Sequence, residues 1–166
     1  LLIPHKNMVE DISQNYWIFR FTKSGVKSYP LKLRIAKEYP IDIAIFDLQD
    51  PSKLFNDINN FRPLKLRQAF DNINVSELIT LLGWPSYTPG ETLSIRSGNI
   101  VGTAIKSGRF NMLYLSPQII EGNSGGPVLD KDDNVIGIAQ KGNNSNNPNE
   151  VTKFVAMRAD ILISNF

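Results

Sequence analysis

The chain has 166 residues, 42% hydrophobic and 20% charged, proportions that support a packed core in one domain or two small subdomains. Its 18 basic and 16 acidic residues leave a net charge of +2, too balanced and too scattered for a nucleic-acid surface or an anionic membrane; Lys65 and Arg67 are the nearest thing to a basic cluster. The absence of cysteine excludes a disulfide framework, a thiolate metal site and a cysteine nucleophile, and no apolar run reaches the ~18 residues of a membrane-spanning helix.

Tyr16-Trp17-Ile18-Phe19-Arg20-Phe21 is aromatic and β-branched and stops at Ser24-Gly25, predicting a strand and its turn. Tyr29 to Ala36 alternates apolar and basic side chains, as a half-buried strand does. Ile41 to Leu48 is a third strand, with Asp42 an odd carboxylate at the mouth of an apolar run. Gln49 to Glu77, with Pro51, Pro63 and its Asn-rich stretches, reads as a connection between two halves, with a helical turn over Leu54 to Phe61 or Leu66 to Phe70. Strand signals resume at Leu78 to Leu82, Thr92 to Ile95, Asn99 to Ile105, Met112 to Leu115, Val135 to Gln140 and Thr152 to Ala156. Gly83-Trp84-Pro85, Pro89-Gly90 and Asp132-Asp133-Asn134 punctuate them. Gly142 to Asn149 is a polar surface loop, and Asp160 to Asn165 a terminal helix with Asp160 at its start. Many short strands with Gly and Pro turns predict an all-β sandwich or barrel.

Chemistry concentrates in Glu121-Gly122-Asn123-Ser124-Gly125-Gly126-Pro127. A serine hydroxyl is a weak nucleophile until a neighbouring base takes its proton. The tetrahedral intermediate of acyl transfer carries an oxyanion that needs N–H donors already aimed at it. A tight glycine-rich turn can point the N–H groups of Gly122 and Ser124 the same way, because glycine adopts backbone conformations that a Cβ forbids. The same run could be an ordinary hairpin turn, and the flanks argue against that. Pro127-Val128-Leu129-Asp130, a turn, and Val135-Ile136-Gly137-Ile138-Ala139-Gln140-Lys141-Gly142 follow it. With these flanks the segment resembles the nucleophile loop and next strand pair of trypsin-like serine peptidases.

Other segments extend the resemblance. Pro40-Ile41-Asp42-Ile43-Ala44-Ile45-Phe46-Asp47-Leu48 is similar to that family's Asp-Ile-Ala-Leu-x-x-Leu run. Leu81-Leu82-Gly83-Trp84-Pro85 resembles its Gly-Tyr/Asn-Pro strand end, and Phe154-Val155-Ala156-Met157 its Phe-Ala-Ile-Pro. Asn123 stands where many zymogen-activated relatives carry an Asp that pairs with a freshly cut N-terminus; Asn cannot make that pair, which resembles the cysteine-free, HtrA-like branch.

The resemblance implies an all-β double β-barrel with a short C-terminal helix: an N-terminal barrel and connector over residues 1–70 and a C-terminal barrel over residues 71–166. It also implies a serine endopeptidase with the family order His5, Asp42, Ser124. Ser124 attacks, His5 (the one histidine in the chain) is its base, Asp42 holds the imidazole tautomer, and the N–H groups of Gly122 and Ser124 form the oxyanion hole. Around His5 the sequence departs from the family: Ile3-Pro4 replace small residues and Lys6-Asn7-Met8 an apolar pair. Four residues precede His5, so the first barrel is expected to lack its N-terminal strands, and Leu1-Leu2-Ile3 starts like a piece of a longer protein with further domains. Gln140, Lys141 and Gly142 are expected to receive the substrate backbone as an added strand. Gln118 lies near the floor of the specificity pocket, where no Asp is present, so a neutral side chain is expected at the cleavage site. No metal or organic cofactor is implied; the expected partner is a protein or peptide substrate, with no nucleic acid. Lack of cysteine favours a bacterial cytoplasm or periplasm. The alternative is a catalytically inactive pseudoprotease that keeps the cleft as a peptide-binding module.

Overall fold

The computed structural model describes residues 16–22, 25–37, 43–57, 63–86, 88, 91–106, 110–140 and 153–164. The chain divides into two compact units, Leu1–Pro63 and Leu64–Phe166.

The first unit contains β1 (Tyr16–Thr22), β2 (Gly25–Lys37) and β3 (Ile43–Leu48), an antiparallel sheet in the order β1-β2-β3. Thr22 pairs with Gly25, and the register runs back to Tyr16 opposite Leu31. The period-2 pattern has its expected consequence: Leu31, Ala44 and Phe46 bury into one cluster, with Leu33 and Leu48 against it. Beyond β3 comes α1 (Pro51–Asp57), with Leu54 on its buried side. Its start is a local sequence effect. Proline fits the first helical position, and the Asp50 carboxylate caps the turn by accepting from the Lys53 N–H at 3.1 Å. At the other end Asp57 pairs with Lys27 and accepts from the buried Tyr29 hydroxyl at 3.1 Å, which ties the helix to β2.

The second unit contains β4 (Lys65–Leu66), β5 (Leu78–Gly83), β6 (Ser94–Lys106), β7 (Phe110–Leu115), β8 (Pro127–Leu129), β9 (Asn134–Ala139), β10 (Phe154–Arg158) and α2 (Ile161–Ser164). Its sheet runs β10-β7-β6-β5-β8-β9, and β10 also pairs with β9, so six antiparallel strands close into a barrel. Closure leaves those six strands no open edge. The two-residue β4 adds in parallel beside the start of β9. Inward side chains fill the barrel: Ile79, Leu81, Ile100, Leu113, Leu115, Val128 and Ile136 are all nearly or fully inaccessible. A second cluster joins Phe70, Leu129, Val135 and Ala159, with Leu162 of α2 packed on it.

Two expectations need correction. Of the two places read for a helical turn, the first coincides with α1 over Leu54 to Asp57 but the helix starts earlier, at Pro51, with residues 58–61 outside the described ones; Leu66, in the second, belongs to β4. The Asp50-Pro51 start decides this, because it nucleates the helix before the Leu54-led pattern does. The two strands read at Thr92 to Ile95 and Asn99 to Ile105 are one, β6, which runs through Ser97-Gly98 and absorbs the irregularity as a bulge between Ile100 and Gly102. Among the described residues no helix is long and apolar enough to cross a membrane.

Candidate active site

Ser124 is exposed on the connection between β7 and β8, at the tip of a turn whose backbone is tied down on both sides. The Asn123 N–H donates to the Ile120 carbonyl at 3.0 Å. The Gly125 N–H donates to Ala139 of β9 at 2.8 Å, and the Gly126 N–H returns to the Asn123 carbonyl at 2.9 Å. The Ala139 N–H completes the exchange by donating to the Gly126 carbonyl at 2.9 Å. Of the five consecutive amides from Gly122 to Gly126, these three have acceptors. The N–H groups of Gly122 and Ser124 have none among the described residues.

The sequence makes this turn possible at two glycines. Gly122 has φ of 91°, and a Cβ there would stand 2.1 Å from the Trp84 carbonyl oxygen. At Gly126 a Cβ would stand 2.1 Å from the Leu82 carbonyl oxygen. The segment Leu82 to Pro85, at the end of β5, therefore lies directly under the turn. It also bonds to it: the Trp84 N–H donates to the Gly122 carbonyl at 3.4 Å, and the Ser86 N–H to the Glu121 carbonyl at 3.1 Å. Trp84 and Pro85, with Glu91 to Ser94, line an open groove beside this contact.

Asn123 is a polar side chain held in the core, only 1% exposed. Its Oδ1 lies over Gly83, and its Nδ2 has no hydrogen-bond partner among the described residues. The segment Ser116-Pro117-Gln118 is anchored to β6. The Ser116 hydroxyl accepts from the Asn99 N–H at 2.8 Å, the Ser116 N–H donates to the Asn99 carbonyl at 2.9 Å, and Arg96 donates to the Gln118 carbonyl at 3.3 Å. Gln118 is exposed.

Of the residues singled out from sequence, the described structure places Gly122, Ser124, Gln118 and Gln140 in the second unit. It brings Gly122 and Ser124 together in one turn, with Gln140 following β9, where its N–H donates to the Val155 carbonyl at 2.9 Å. That amide is engaged by β10, so a substrate strand beside Gln140 would have to pair with other backbone groups. His5, Asp42, Lys141 and Gly142 lie outside the described residues. Three carboxylates of the first unit are held below the usual range: Asp47 by its bond to Arg34, Asp50 by Ser52 and the Lys53 amide, and Asp57 by Lys27. Sequence reasoning took Gly83-Trp84-Pro85 as turn punctuation and as similar to the family's strand end, and missed Ser86. The one available signal was a Pro-Ser pair after a strand, which says nothing about what the freed N–H will bind.

A closed six-stranded antiparallel barrel that carries a Gly-Asn-Ser-Gly-Gly turn between two of its strands defines an all-β protein of the trypsin-like fold. The chain belongs to the trypsin-like peptidase domain family, whose model matches residues 10–138. Solved structures share the fold. An HtrA-type protease, AlgW, determined with a decapeptide, superposes with a TM-score of 0.67 at 17% identity, covering 98% of this chain and 45% of that one. The serine endoprotease from Yersinia pestis gives 0.64 at 18% identity, with 98% and 50% covered. The MamO protease domain from Magnetospirillum magneticum gives 0.62 at 12%, with 99% and 81% covered. The chain thus spans about half the length of the first two proteins. No curated protein matches the sequence.

Proposed function

We propose that this chain is the catalytic domain of a serine endopeptidase with Ser124 as nucleophile. The observation that carries the reading is the pattern of amides in its turn. Ser124 is exposed, and the two N–H groups left without acceptors, its own and that of Gly122, are those an oxyanion requires. The carbonyls from Ile120 to Asn123 all accept hydrogen bonds, while these two donors in the same turn stay open.

In this reading the Ser124 hydroxyl adds to the scissile carbonyl while His5 accepts its proton, and Asp42 holds the imidazole in the tautomer that faces the serine. The carbonyl oxygen becomes the oxyanion, stabilised by the two amides. Collapse of the tetrahedral intermediate expels the amine, to which His5 returns the proton, and leaves an acyl-enzyme at Ser124. Water then attacks the acyl carbon with His5 again acting as base, releasing the acid and restoring the serine. Membership of the peptidase family and the HtrA-type neighbours support this class of reaction, and AlgW, solved with a decapeptide, supports a peptide as the ligand. In the same reading Gln140, Lys141 and Gly142 receive the substrate backbone, and the Gln118 segment borders the pocket for a neutral side chain.

Hydrolysis of fluorescein-labelled β-casein tests the proposal. The wild-type protein is expected to release peptides, and Ser124→Ala to reduce kcat by about 10⁴-fold or more with the casein Kd unchanged. A casein Kd in the absence of any Ser124-dependent release would instead identify a peptide-binding pseudoprotease.

A further inference from the structure

We infer that Ser86 is a positioning residue for the oxyanion site, acting through its backbone N–H on the Glu121–Gly122 peptide; the inference rests on the peptidase reading above.

The argument starts from peptide geometry. In a planar trans peptide the C=O and the N–H point in opposite directions. The Glu121 carbonyl and the Gly122 N–H belong to one such unit. With the Glu121 carbonyl accepting from the Ser86 N–H at 3.1 Å, the Gly122 N–H is turned to the opposite side. The next but one unit obeys the same logic. The Asn123 carbonyl accepts from the Gly126 N–H, which turns the Ser124 N–H away from it. The direction of each open donor is thus set by the hold on the carbonyl of its own peptide.

The two holds differ in origin. The bond that orients Ser124 is internal to the turn, whereas the one that orients Gly122 comes from another segment, the chain just past β5. Gly122 itself cannot enforce the choice. It has no Cβ, and glycine tolerates rotation of the peptide on its N-terminal side. Rotating the Glu121–Gly122 unit by half a turn would aim a carbonyl oxygen where the N–H now points, and a partial negative charge there repels an oxyanion. The Trp84 N–H, on the Gly122 carbonyl at 3.4 Å, restrains the following peptide and leaves this one free. Ser86 is therefore the contact that selects the orientation.

Its backbone is unusual in a consistent way. Ser86 has φ of 50°, one of three positive values at non-glycine residues among the described ones. Residues other than glycine populate that region sparsely, and such conformations gather at functional sites when the surroundings hold them in place. A left-handed residue directly after Pro85 redirects the chain while its N–H stays on Glu121.

The test compares three substitutions in the full-length protein, reading kcat and KM on fluorescein-labelled β-casein and the casein Kd in a Ser124→Ala background. Ser86→Gly keeps the N–H and accepts the positive φ, so its kcat should stay within about threefold of wild type. Ser86→Pro removes the N–H and forbids the φ, so kcat should fall about 100-fold or more, the loss expected for one oxyanion donor, with KM and Kd within about threefold. Circular-dichroism melting establishes that each variant is folded. Should Ser86→Pro not fold, Ser86→Val carries the test: it keeps the N–H but resists positive φ, and should lower kcat roughly tenfold at unchanged KM. Equal kcat for the Gly and the Pro (or Val) variant overturns the inference, as does a loss of kcat matched by an equal loss of casein binding. An inactive wild type fails the peptidase reading first and removes the inference with it.

Discussion

At the scale of single residues, Asn123 shows how closely the turn is specified. Its side chain is 1% exposed, against Gly83, with Nδ2 unpartnered among the described residues. Asn123→Asp changes almost no volume but places a carboxylate where nothing described donates to it. Burial without a partner raises a carboxyl pKa above its unfolded value, so the folded state binds the extra proton more tightly than the unfolded state. The penalty is therefore present above about pH 4 and relieved as pH falls below the raised pKa. Urea denaturation at pH 7 should show a loss of about 1–3 kcal/mol relative to wild type, with the gap narrowing toward acid pH. A gap that widens on acidification would mean that the Asp finds a cation in the fold. The residue motif Gly-Asn-Ser-Gly-Gly was legible in the sequence because the chemistry it serves fixes spacing along one short stretch. The Ser86 and Trp84 bonds were not, because they join segments far apart in the chain through backbone groups that carry no residue-type signal.

Among the elements, α1 rests on a cap. Asp50 accepts from the Ser52 hydroxyl and the Lys53 N–H, and these bonds hold its carboxyl below the usual range. A depressed carboxylate contributes stability that is complete above the unfolded pKa of about 3.9 and is lost as pH falls through the lower folded value. Asp50→Ala should lower the melting temperature by a few degrees at pH 7, and the difference from wild type should vanish near pH 2. An equal melting temperature at pH 7 would show that Leu54 burial and the Asp57 contacts hold the helix without the cap. The strands themselves were largely legible: alternation located β2, and apolar, β-branched runs between turn residues located β1, β3, β5, β7, β9 and β10 within a few residues at each end. Their boundaries and continuity were less so. Ser97-Gly98 reads as a break, yet β6 crosses it because Thr80 and Ile79 of β5 supply the ladder there and β7 takes over from Ile100. The two-residue β4 has no pattern at all; it forms because Lys65 and Leu66 lie alongside Asn134 and Val135 of β9.

For the molecule as a whole, the closed ring of six strands explains how a domain without disulfides can hold this turn in place. Each flank of the Ser124 loop ends in barrel strands, β7 before it and β8 after it, while β5 supports it from beneath. A rigid frame is what makes two open amides stay open. Membership of the trypsin-like peptidase family supports a protease-type function, and the proposed reaction takes His5, Asp42 and Ser124 in that family's order. Activation of Ser124 is the central claim, and a fluorophosphonate reads it without knowledge of the substrate, because phosphonylation needs both an activated hydroxyl and a receptive oxyanion site. Labelling followed by peptide mapping should place the adduct on Ser124 in the wild-type protein, with Ser124→Ala unlabelled and His5→Ala slowed by several hundredfold or more. An unlabelled wild type, or an adduct that forms at the same rate without Ser124 or His5, would contradict the account.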